Sequence, residues 1–206
     1  MTGLRLRYSV KVYDKDGKLV REVEGESHSL LANFIHWLRA WARNRRGCGS
    51  DSMVSDEPLV EVGGSTVYVH NTISRYASEF TAFGSFDNCA ESGIVVGSGT
   101  TPPTPSDYSL ESQIPHGTGA GQLDYEQDEF GDVQISGNTI SFEMRRMFIN
   151  RTGNTITVAE IGIIMYTIDT SNTRRRVLIA RDVLDTPVEV PGYGSICVTY
   201  TFYVTT

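Results

Sequence analysis

Strict two-residue alternation of apolar and polar side chains most limits how this chain folds. Over 4–13, Leu4, Leu6, Tyr8, Val10 and Val12 take one parity, and Arg5, Arg7, Ser9, Lys11 and Tyr13 the other. That pattern sets one strand face on a core and the other in water. Asp14-Lys15-Asp16-Gly17 is a hairpin turn signal, so 18–24 returns as a second strand. The C-terminal third repeats the pattern: Ile140, Phe142, Met144, Arg146 and Phe148 alternate with Ser141, Glu143, Arg145, Met147 and Ile149. After a turn at 150–154, residues 155–168 form another strand with Ile161, Ile163 and Met165 on one face. Arg174-Arg175-Arg176 leads into 177–183, and Pro187 and Pro191-Gly192 punctuate a short strand at Val188 and Val190. The chain closes on Ile196, Val198, Tyr200, Phe202 and Val204.

One segment breaks this period. Leu30, Leu31, Phe34, Ile35, Leu38 and Trp41 recur at helical spacing, with Trp37 beside them. Ser27 or Ser29 supplies an N-cap, and Arg43, Arg45, Arg46 and Gly47 form a stop signal, giving a helix over about 29–46. Residues 59–69 and 72–83 read as irregular strands with a turn near Gly63-Gly64. The expected fold is all-β, mainly an antiparallel β-sandwich, jelly-roll-like, with one amphipathic N-terminal helix in a single domain spanning 1–206; a barrel is the nearest alternative. At 206 residues such a domain buries a sizeable core without disulfides.

The net charge of −7 and pI of about 5.1 argue against a general binder of nucleic acid or anionic membrane, both of which call for a basic face. Cys48, Cys89 and Cys197 are odd in number and far apart, which fits free thiols in a reducing cytosol; Cys197 reads as a buried or half-buried small hydrophobe. The N-terminus has no signal-length apolar run, and no stretch approaches membrane-spanning length. Synthesis in the cytoplasm without membrane insertion is the expectation.

From Ile94-Val95-Val96 the chain enters a loop over about 97–122 built of Gly, Ser, Thr and Pro. Loops beyond about 12–15 residues inside compact domains are uncommon and usually functional or disordered. Pro102, Pro103 and Pro105 stiffen it into an extended, polyproline-like arm, Asp107–Leu110 suggests a helical turn, and Tyr108 and Leu110 are its expected anchors.

Chemical motifs are sparse. His28, His36, His70 and His116 are scattered without metal-ligand spacing. Gly97-Ser98-Gly99 is a fragment of a glycine loop without a βαβ context. Asp124, Glu126, Asp128, Glu129 and Asp132 could hold Ca²⁺ or form a solvated acidic loop, the reading their spacing favours. No catalytic, metal or cofactor-binding residues are assigned. Arg43, Arg45, Arg46, Arg174, Arg175 and Arg176 are candidate contacts to acidic surfaces on a neighbouring subunit, and Trp37 is a candidate interface anchor.

A resemblance adds to this reading. Gly93-Ile94-Val95-Val96-Gly97-Ser98-Gly99-Thr100-Thr101, Asp107-Tyr108-Ser109-Leu110, Ile114 and the run His116–Tyr125 carry it, with Phe148-Ile149-Asn150, Val158-Ala159-Glu160-Ile161-Gly162, Arg181-Asp182-Val183-Leu184 and Val198-Thr199-Tyr200-Thr201 further on. Asn33-Phe34 fits more loosely. Together these strings resemble small structural proteins of tailed bacteriophages and related viruses. The resemblance implies a non-enzymatic virion subunit of tail or capsid surface, made in the host cytoplasm. Its expected partners are its own copies and other virion proteins, with no direct nucleic acid and no membrane. A rival expectation is a carbohydrate- or receptor-binding module at a tail tip, using Tyr8 or Tyr13, Tyr193 and Tyr203 as stacking faces. A third is a glycan hydrolase with two carboxylates about 5–10 Å apart.

Overall fold

A computed structural model describes residues 4–27, 30–43, 57–69, 90–171 and 173–206. In chain order the elements are β1 (Leu4–Tyr13), β2 (Leu19–Ser27), α1 (Ala32–Arg43), β3 (Glu57–Val60), β4 (Thr66–Val69), β5 (Gly93–Gly97), β6 (Asp124–Tyr125), β7 (Glu129–Phe130), β8 (Gln134–Ser136), β9 (Thr139–Ile149), β10 (Ile156–Ile168), β11 (Arg174–Val190) and β12 (Ser195–Thr205). The fold is all-β with one helix among the described residues, and every named strand pair is antiparallel. No helix among them is long and apolar enough to cross a membrane.

The larger sheet runs β2-β1-β12-β9-β6, with β7 and β8 also pairing to β9; the smaller runs β11-β10-β5. Both contribute to one apolar cluster, which Leu6, Val10 and Val12 enter from β1 and Ile161, Ile163 and Met165 from β10. A single ribbon links the layers. Its arms pair from Ile168↔Arg174 to Ile156↔Val190, then from Ile149↔Ser195 to Thr139↔Thr205. The ribbon is bent over between those two stretches, so its halves fall in different sheets. That is the described counterpart of the jelly-roll-like expectation.

Asn150 holds the bend. It is fully buried, and its Nδ2 lies 2.7 Å from Asn154 O, 3.1 Å from Pro191 O and 3.2 Å from Val190 O. Its Oδ1 accepts from Thr152 N and Oγ1, and its own N–H donates to Gly194 O. The two strands cross closely here: a Cβ on Gly192 would sit 2.4 Å from Gly153 O.

Alternation holds where one face is wet. In β1, Leu6, Tyr8, Val10 and Val12 are buried. β10 is buried on both faces from Val158 to Met165, as befits the middle strand of a covered sheet. Arg146 takes its predicted parity and is buried there. It donates to Glu126 O (2.6 Å), Ser92 O (2.9 Å) and Ile94 O (3.0 Å), and its guanidinium lies 4.9 Å from the centre of the Tyr125 ring.

Several local expectations are corrected. α1 spans Ala32–Arg43: it starts after 31 rather than near 29, and 44–46 lie outside the described residues. Ser27 does not cap it; it ends β2 and donates to Asp182, while Ser29 lies outside the described residues. Backbone partners fix the helix start instead: Leu31 N donates to Ile179 O and Ala32 N to Pro105 O. Asn33 ties it further, exchanging hydrogen bonds with Val60 and donating to Leu178 O. Leu31, Phe34 and Ala40 are buried, whereas Ile35 and Leu38 of the predicted stripe are exposed. Asp107–Leu110 is not helical; the turn lies earlier, where Asp107 N donates to Thr104 O. Val188 and Val190 belong to the long β11, which passes through Pro187 where the β10–β11 register shifts, a place that tolerates a missing N–H. The 59–69 reading resolves into the β3–β4 hairpin; 72–83 lies outside the described residues.

Candidate functional site

The Gly/Ser/Thr/Pro loop folds back onto its own sheet around two buried charges. Glu160 on β10 is fully buried, and Arg181 on β11 nearly so; Arg181 Nε donates to Glu160 Oε2 at 2.9 Å. The Glu160 carboxylate accepts backbone N–H groups from Ser112 (2.7 Å), Gly99 (3.1 Å) and Glu111 (3.1 Å). Arg181 continues to Asp107 Oδ2 (2.6 Å) and Thr101 O (3.0 Å). Glu111 accepts from Thr100 N, Thr101 N and Thr101 Oγ1.

These contacts shift the charges' titration. Burial pushes the Asp107 carboxyl up, but hydrogen bonds from Thr104 and Arg181 outweigh it and hold the group below the usual range. Hydrogen bonds from Thr101, backbone and side chain, lower Glu111. Burial works against charged Arg181, yet Asp107 and Glu160 raise it further.

The glycine fragment thus cradles an anion, and the anion is the chain's own. A Cβ on Gly97 would lie 2.5 Å from Glu160 Oε1, and one on Gly99 would lie 2.5 Å from Glu111 Cβ and 2.6 Å from Glu160 Oε1. Glycine is required there for close approach, not for a positive φ.

The loop is therefore no extended arm leaving the domain. Pro102 and Pro105 are exposed and Pro103 is half-buried. Tyr108 is exposed, its ring over Gly64, so it remains available on the surface. Leu110 is corrected: it is buried in the core against Gly162 and cannot contact a neighbour. Trp37 is half-buried, packed on the core beside Phe34. The Arg43 side chain, Arg45 and Arg46 lie outside the described residues. Arg174 is exposed; Arg175 pairs with Asp169 (2.7 Å) and Glu61 (3.3 Å), and Arg176 with Glu91 (3.3 Å). Two of those three charges thus have partners within the chain.

Most of the acidic segment is paired within the chain, while Asp132 is exposed. Asp124 and Glu126 face Arg151, Glu129 pairs with Arg145, and buried Asp128 lies 3.7 Å from Arg146. Among the described residues no cluster of His, Cys, Asp and Glu could hold a metal ion. His116 Nδ1 accepts from Tyr125 N, and His36 faces Glu57; His28 and His70 lie outside the described residues. Cys197 is half-buried as expected, and burial pushes its thiol up; Cys48 and Cys89 lie outside.

A second feature was not legible in the sequence. Cross-strand register lines up Ile135↔Ile140, Ile140↔Val204 and Val204↔Leu4, an apolar row across four strands. It shares the parity of the core residues Leu6 and Phe202, yet lies at the sheet's exposed end: Ile135 is 75% exposed, Ile140 45% and Leu4 44%. Val133, 65% exposed, flanks it. The three-residue β8 is too short to show alternation, so only its pairing with β9 reveals the row.

No protein-family model matches the chain, and no curated protein or solved structure is significantly similar to it.

Proposed function

We propose that this protein is a non-enzymatic structural subunit of a virus particle, working by self-assembly. The row Leu4–Val204–Ile140–Ile135 carries this reading: it is a core-type face left in water at one end of the larger sheet. Contiguous exposed apolar patches mark interaction sites. The occupant proposed is a second copy, because closed symmetric self-contacts dominate soluble oligomers. The braced loop supports the reading, since Pro102, Pro105 and Tyr108 are presented from an anchored backbone and lose little freedom on docking. The strings resembling tailed-virus structural proteins favour a role in the tail or capsid surface, in contact with other virion proteins.

Light scattering on the purified full chain tests it. A discrete oligomer is expected at micromolar concentration. The double variant Ile135→Glu, Ile140→Lys is expected to be monomeric with an unchanged far-UV spectrum. A wild-type chain that stays monomeric at high concentration, and is missing from purified particles by mass spectrometry, overturns the proposal.

A further inference from the structure

The outward face of the larger sheet carries a polar trough of about 600 Å³. Register builds it row by row. Glu26, Arg7, Thr201 and Glu143 lie side by side across β2, β1, β12 and β9; Glu24, Ser9, Thr199 and Arg145 form the next row. The β12 column bears short side chains, Cys197, Thr199 and Thr201, and Ser9 stands beside them on β1 between the longer Arg7 and Lys11; Glu24 and Glu26 on one side and Glu143 and Arg145 on the other form the outer columns. The result is a floor with a hydroxyl-bearing strip, flanked by Arg7 and Lys11, between charged walls. With strands about 4.8 Å apart, the walls stand roughly 14 Å from each other. The hollow continues past Tyr13, Arg145 and Cys197 into a second one of about 380 Å³.

Two observations point to an occupant. Ser9 Oγ, in this floor, is buried and makes no hydrogen bond within the chain. Buried polar atoms in native proteins are nearly always paired, so an orphan marks a place for an external partner. The lining is also balanced in charge: Arg7, Lys11 and Arg145 stand against Glu24, Glu26 and Glu143. Much of that charge is already engaged, Lys11 with Glu22, Arg145 with Glu129 and Glu26 with the Tyr203 hydroxyl. An anion would lie against three carboxylates, and a cation against three basic groups. A neutral chain of hydroxyls meets neither penalty, and hydroxyls both donate to and accept from Ser9, Thr199 and Thr201. Tyr13, half-buried at one end, offers a ring face where the trough continues.

We infer that this trough binds a neutral oligosaccharide. The inference stands apart from the assembly row, which lies on the opposite face of the sheet. Of the tyrosines with stacking faces in the sequence, it uses Tyr13; Tyr8 points into the core and Tyr193 sits at the ribbon's bend.

The full chain is screened on an array of neutral and acidic glycans, and the strongest neutral binder is titrated into ¹⁵N-labelled protein. Saturable shifts centred on Ser9, Cys197, Thr199 and Thr201 are expected. Thr199→Trp, which fills the floor, should raise Kd about tenfold or more, while Thr199→Ser, which keeps the hydroxyl, stays within about threefold. The spectrum of each variant verifies folding, and Ser9→Ala, expected to weaken binding, serves if Thr199→Trp does not fold. The Ile135→Glu, Ile140→Lys variant should bind undiminished, so glycan binding and assembly fail independently. No neutral glycan bound, binding of acidic glycans alone, or shifts away from the trough would each overturn the inference.

Discussion

Arg181 and Glu160 meet across the β10–β11 pair, Nε to Oε2 at 2.9 Å, where neither side chain has appreciable access to water. Removing one partner of a buried pair leaves an uncompensated charge and costs about 3–5 kcal/mol. Arg181→Met should therefore lower unfolding free energy by that order in urea titrations. Replacing both with Met should not restore stability, because the N–H groups of Gly99, Glu111 and Ser112 then lose their acceptor. A double variant as stable as wild type would show that the carboxylate does not hold the loop.

Acid should weaken the loop. Asp107 and Glu111 both have folded values below their unfolded ones, so their contribution is present above the unfolded carboxylate range, near pH 4, and is lost as pH falls through the folded values. Tm is expected to be level from pH 7 to 5 and to fall below about 4. In Asp107→Asn the fall should be shallower. Equal slopes for wild type and variant would remove Asp107 from the effect.

Leu110 and Tyr108, two residues apart, should part company. Leu110→Ala empties a core site and should cost about 2–5 kcal/mol, whereas Tyr108→Ala, on an exposed ring, should stay within about 0.5 kcal/mol. Chemical denaturation of the two variants measures the difference.

Glycine positions offer a paired test. Gly99→Ala forces a methyl against Glu111 and Glu160 and should cost about 1–3 kcal/mol. Gly63→Ala, with only a distant side-chain oxygen nearby and no left-handed φ, should be close to neutral. A neutral Gly99→Ala would mean the loop backbone shifts freely over the carboxylate.

Asn150→Ala should unfasten the ribbon's bend. Each buried group left without its partner costs about 1–3 kcal/mol, and several converge there. A lower urea midpoint with preserved far-UV signal at zero denaturant is the expected readout.

The alternation of β1, β9 and β12 and the helical spacing around Phe34 determined, from sequence alone, an all-β chain with one helix. Side-chain period depends only on backbone geometry, so it is written locally. The sequence could not say how polar residues at core parity are satisfied. Arg146, Glu160 and Asn150 are tolerated because backbone groups 20 to 61 positions away in sequence meet them. Those encounters exist only once the ribbon has folded over. The same holds for the loop: its glycines and prolines mark a special backbone, but whether that backbone reaches outward or clasps a buried carboxylate depends on Glu160 and Arg181 standing side by side. Tertiary structure alone decided that, along with the exposed apolar row and the trough, because both are products of strand register rather than of any one segment.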